Sequence, residues 1–182
     1  MIFALVLVLG SIGLAVSQTL VLSSGDITPF NGTVAILAWT AIAMGIWGAK
    51  DLPQMARPGR VGVVMICFAA LSFGMVMIIT LTSGTLGALQ GGDIVYGDIV
   101  YTPFYVLALI FLVAGLAGFA LHFFATGTRW LAAGCGILAI VHAGRLFIAE
   151  IIGFHASADL VLAFALLAIA ALVLVPKKAK AR

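Results

Sequence analysis

Residues 61–83 read VGVVMICFAALSFGMVMIITLTS, a run of twenty-three residues without one charged side chain. As a helix rising about 1.5 Å per residue, such a run is long enough to cross a hydrocarbon core roughly 30 Å thick. The rest of the chain belongs to the same solvent. Of its 182 residues, 64% are hydrophobic and 8% charged, and the mean hydropathy is +1.30; a soluble domain carries about 25% charged residues. An ordinary water-soluble globule is excluded.

Outward from this run, five further apolar segments pass the same length test, near 2–22, 32–50, 103–125, 129–152 and 158–176. The first, MIFALVLVLGSIGLAVS, imitates a signal peptide but has no basic n-region, so it is read as a retained membrane span. Pro53, Pro58 and Pro176 fall at ends or in connections, and Pro103 is placed as a first-turn proline opening the fourth span. The expectation is an all-α, polytopic transmembrane bundle of six spans, with residues 1–182 forming one membrane domain and 177–182 a basic tail.

Loop charge predicts the direction of threading. KDLPQMARPGR supplies Lys50, Arg57 and Arg60, TGTR supplies Arg129, and the tail KKAKAR supplies Lys177, Lys178, Lys180 and Arg182. The alternate connections hold Asp26, Asp93, Asp98 and Asp159, with Arg145 and Glu150 near that boundary. By the positive-inside rule both termini are cytoplasmic in the inner membrane and the acidic loops face outward. The scattered basic residues form no basic helix or aromatic-basic patch, so nucleic acid is not an expected partner. Cys67 and Cys135 lie inside apolar runs without ligand partners at metal spacing, which argues against a disulfide framework or a metal centre.

Two repetitions stand out. The pentapeptide GDIVY is written twice, at 92–96 and 97–101, in the longest connection. A shift of five residues cannot present one surface twice in a regular element. It is therefore expected to be a loop, with Asp93 and Asp98 offering cations an outer vestibule. The second repetition is longer-ranged: GDITPF at 25–30 returns as GDIVYTPF at 97–104, and Gly45, Gly48 and Gly74 return as Gly115, Gly118 and Gly144. A structural repeat of this kind would be parallel, three helical hairpins about an axis along the membrane normal. Gly45, Gly48, Gly115, Gly118 and Gly144 are the predicted helix-packing residues, because small residues let helices approach in lipid. Trp39, Trp47 and Trp130 are read as lipid-facing or interfacial.

Functional candidates come from polar groups at membrane depth, which are costly and so need a reason. In RWLAAGCGILAIVHAGRLFIAEII, His142 and Arg145 share a helix face with Cys135 and Leu138, and Arg145 can reach outward or pair with Asp159, Asp98 or Glu150. His155 is assigned to an outer loop. His122 and His142 are expected at depths differing by roughly 10–15 Å, which disfavours a haem held between them. Ser11, Ser17, Gln18, Thr19, Thr40, Ser72 and Thr80 are candidates for a polar path, although Ser and Thr hydroxyls readily bond their own helix backbone. The sixth span, apolar after Asp159, is expected to face lipid or a partner.

No Glu-x-x-His, His-x-x-x-His or Gly-x-Ser-x-Gly pattern occurs, and no catalytic or metal-ligating residue is assigned. No cofactor is specified. The chain is expected to be a non-enzymatic membrane protein that binds or conducts a small solute or cation. His142, Arg145, Asp93, Asp98 and Gln18 are its path candidates, and lipids with further copies of itself or other membrane subunits are its partners. The alternative is an accessory or assembly subunit of a membrane redox or photosynthetic complex.

Overall fold

The computed structural model describes residues 2–25, 27–52, 55–90, 96–147 and 152–174, with the side chains of 84–90, 96–101, 152–153 and 171–174 outside the description. Among the described residues the protein is an all-helical bundle of six helices: α1 (Ile2–Ser24), α2 (Pro29–Trp47), α3 (Arg57–Gln90), α4 (Tyr96–Ala125), α5 (Arg129–Gly144) and α6 (Ile152–Leu174), with a 3-10 turn at Gly48–Asp51. Among the described residues, four segments are long and apolar enough to cross a membrane: Ile2–Ser24, Pro29–Asp51, Arg57–Ser83 and Thr102–Ala125. The last two helices contribute shorter apolar stretches, Arg129–Gly144 and Phe154–Ala170.

Local chemistry sets several helix ends. Gly25 and Gly127 adopt positive φ, 73° and 81°, a conformation that costs glycine little and terminates α1 and α4. The Thr28 side chain accepts the Asn31 N–H at the start of α2, where Pro29 occupies the first turn without wasting a donor.

Each helix packs on its neighbours in chain order, and α1 returns to α6, so the six form a ring. The seam between α5 and α6 is much sparser than the other interfaces. Inside lie Trp39, Ile42, Ile66, Leu112, Phe119 and Leu166, all fully buried, while Leu37, Phe124, Ile140 and Phe147 point outward. Apolar surface on both sides of every helix is what a hydrocarbon solvent permits.

Glycine closes two of the hairpins. A side chain at Gly45 would collide with the Leu7 backbone of α1, and one at Gly48 with the Phe3 ring. In the α3–α4 pair, a Cβ on Gly118 would stand 2.8 Å from the Pro58 carbonyl and one on Gly62 2.8 Å from the Gly115 carbonyl, while Gly115 faces Ile66. Gly10 and Gly62, not singled out in the sequence, share this role. Gly144 does not: nothing lies within 4 Å of the position of its Cβ, nor of that of Gly74, Gly134 or Gly136. At the 70-residue shift, Gly45 and Gly115, like Gly48 and Gly118, are each crowded by a neighbouring segment, whereas Gly74 and Gly144 are both open.

Other expectations also change. The fifth helix stops at Gly144 rather than near 152, with Arg145–Phe147 in a turn, and α6 starts at Ile152 rather than 158. This places His155 in a helix, not a loop. The second pentapeptide copy, Gly97–Tyr101, is helical and extends α4 toward its N-terminus, so Pro103 lies inside the helix. Asp98 is therefore on α4 with its side chain outside the description; Asp93, like Asp26, Glu150 and the tail 177–182, lies outside the described residues. Trp39 is only 2% exposed and stacks on Phe73, whereas Trp47 and Trp130 are exposed as expected. Helix α6 buries Leu162, Ala163, Leu166, Ile169 and Ala170 in the core and packs on α1, so it is not a purely lipid-facing span.

Candidate functional site

The stripe predicted on α5 is the face it buries: Leu131, Cys135, Leu138, Ala139 and His142. Arg145 follows immediately, as the residue that caps the helix, its N–H bonded to the His142 carbonyl. A cation at a helix C-terminus sits against the negative end of the helix dipole. Its side chain nevertheless turns inward and is only 3% exposed. The early end of α5 makes this possible, because it brings α6 round with His155 and Asp159 four residues apart and therefore on one helical face.

Asp159 is the ion partner. Arg145 Nη1 donates to its Oδ1, and Nη2 lies 3.4 Å from Oδ2. The other donors are spent on neutral groups: Nη1 is 3.0 Å from His142 Nδ1, and Nε is 3.0 Å from His155 Nδ1 and 3.3 Å from the Tyr105 hydroxyl. A guanidinium has only N–H donors. Both Nδ1 atoms must then be acceptors, which makes both imidazoles neutral and puts each ring proton on Nε2. His142, completely buried, has no partner for its Nε2 among the described residues. One N–H of Arg145 Nη2 is likewise uncommitted.

Aromatic rings carry the site across the bundle. Trp39 of α2 stacks on Phe73 of α3 at 4.8 Å, Phe73 meets Tyr105 of α4 edge-on at 6.2 Å, and Tyr105 meets His155 of α6 edge-on at 6.0 Å. The guanidinium carbon lies 5.6 Å from the Phe73 centroid and 5.7 Å from that of Tyr105, close enough for cation–π attraction.

Beside this cluster is a cavity of about 350 Å³. It is lined by Arg145, Asp159, His155 and Tyr105 of that cluster and by Ser17, Gln18 and Asn31, from α1 and α2. Trp39, Phe73, Val76 and Met77 supply apolar wall. Ser17 donates to the Asn31 carbonyl at 2.9 Å, tying α1 to α2. The Gln18 side chain, on a residue 8% exposed, has no hydrogen bond among the described residues.

The structure thus brings together three of the predicted path residues, His142, Arg145 and Gln18, around one end of the bundle. Most of the suggested hydroxyl path is spent locally. Ser11, Thr19, Thr40 and Thr80 bond carbonyls four residues back in their own helices, as membrane helices commonly allow. His122 lies at the opposite end, where its Nδ1 accepts the Ala56 N–H at 3.3 Å. Tyr105, Asn31, Trp39 and Phe73 were not visible as site residues in the sequence, and His155 only as a loop residue. The four-residue spacing of His155 and Asp159 was the available signal. Among the described residues, no three His, Cys, Asp or Glu side chains converge as a metal site. The chain matches no family model, no curated protein and no solved structure.

Proposed function

We propose that the protein resides in the inner membrane with both termini cytoplasmic and receives a small solute in the cavity beside Arg145, binding it or passing it across the bilayer. The observation that carries this reading is Gln18. An amide at membrane depth with no hydrogen bond among the described residues keeps its donors and acceptor for an occupant, and this one lines a space of ligand size, since small-molecule sites start at roughly 300 Å³. The orientation is supported by the clustering of Lys50, Arg57, Arg60 and Arg129 at the helix ends remote from the cavity.

A cation is less well served than a neutral solute, because the carboxylate lining the cavity is already bonded through both oxygens to Arg145. Transport is tested by reconstitution into liposomes with a panel of small neutral and charged solutes. Flux that depends on Gln18 and on the Arg145–Asp159 pair is the expected outcome; impermeable liposomes, together with no solute binding in detergent, would end the proposal.

The accessory-subunit reading draws on a different feature. A crevice of about 590 Å³ runs along the sparse α5–α6 seam, lined by Ile137, Val141, Phe154, Val161 and Phe164. Purification from native membranes separates the two readings: co-migrating subunits favour the accessory role, a particle containing this chain alone favours solute binding.

A further inference from the structure

The hydrogen-bond and charge inventory of the cavity narrows what it takes. Its lining includes a guanidinium and a carboxylate that neutralise each other, Arg145 and Asp159, backed by two imidazoles held neutral because each offers Nδ1 to Arg145. The net charge of this wall is zero. An anion entering here would gain Arg145 only by displacing Asp159, and a cation would gain Asp159 only by displacing Arg145; either exchange strands a buried charge. A neutral occupant strands nothing.

Also in the lining, Gln18 presents two N–H donors and one carbonyl acceptor on a single planar group, with none of them bonded to described residues. A carboxamide in this condition matches a molecular edge that carries an acceptor and a donor side by side, the same complementarity by which glutamine reads an adenine edge. The aromatic wall is a stacked pair, Trp39 on Phe73, with Tyr105 standing edge-on to Phe73. The cavity, about 350 Å³, admits a single ring with a substituent.

We infer that the ligand is an uncharged, planar molecule with an amide-type edge, a C=O beside an N–H, which pairs with Gln18 while its flat face lies on the aromatic wall. This rests on the cavity being the solute site and adds the chemical class.

Three probes share one skeleton and differ in charge: benzamide, benzoate and benzamidinium. Binding of each to the full-length protein in detergent is measured by calorimetry or ligand-observed NMR. Benzamide should bind at least about tenfold more tightly than either ion, and Gln18→Leu should weaken it by about tenfold, the loss of one well-made buried hydrogen bond. Gln18→Asn keeps the amide on a shorter stem and should fall between; an unfolding midpoint no lower than the parent's in each variant shows that the bundle is intact. Preference for benzoate or benzamidinium would overturn the neutral class and leave the cavity reading standing, as would benzamide binding indifferent to Gln18. Failure of all three probes to bind at millimolar concentration would overturn both.

Discussion

At one end of the bundle, Gly62, Gly115 and Gly118 let the α3 and α4 backbones touch, and the one histidine there, His122, is bonded to the Ala56 backbone. At the other end, Arg145 holds Asp159, Tyr105 and two histidines beside an open cavity; His142 Nε2 is buried without a partner, and Gln18 lines the cavity with no hydrogen bond, among the described residues. Both ends lie within the same apolar ring. The first is closed by backbone contact and its histidine is bonded, as expected of a packing device. The second has an open cavity and unbonded polar atoms, and that is the combination a binding site requires.

The sharpest way to break the contrast is Asp159→Ala. It leaves Arg145 buried without a counter-charge, and loss of one partner from a buried pair costs about 3–5 kcal/mol; the unfolding midpoint in detergent should collapse. Replacing both partners, Arg145→Met with Asp159→Leu, should recover most of that loss while abolishing solute binding. If the single substitution proves harmless, the pair is not a buried one.

Gly118→Leu attacks the other end. Overfilling a packed interface costs about 1–3 kcal/mol, and here the obstacle is backbone, the Pro58 carbonyl, which cannot rotate away. Stability should fall while benzamide affinity per folded molecule stays constant. His122→Ala should be milder, about 1–2 kcal/mol, since it strands the Ala56 N–H in a partly buried turn. Gly144→Ala and Thr40→Val complete the series: the first meets no neighbour and the second removes only a bond to its own helix, so each should lie within about 0.5–1 kcal/mol of the parent by thermal melt.

Hydropathy made the six helices legible, because an apolar run of membrane length has few other uses. It misplaced the end of α5 for the same reason: LFIAEII after Arg145 is as apolar as what precedes it, and the helix end at Gly144 has no mark in hydropathy. Trp39 shows a second limit. In water, a polar face tells which side of a helix is buried, but α2 is apolar all round, so nothing distinguished the tryptophan that enters the core from those that face lipid. His142 and Arg145 were legible as a pair because charge at membrane depth demands an explanation. The aromatic wall was not, because Phe73 and Tyr105 are ordinary residues for a membrane helix until Trp39 and His155 stand beside them. Gly144 was chosen by spacing alone, and spacing carries no knowledge of whether a neighbour exists.

The ring order carries a consequence for how the protein is made. Five of its interfaces join helices consecutive in the chain and can form as each hairpin leaves the translocation machinery. The sixth, α1 against α6, waits until the last helix arrives, and Gln18 and Asp159 stand on its two sides. A nascent chain therefore has no closed cavity until α6 is inserted.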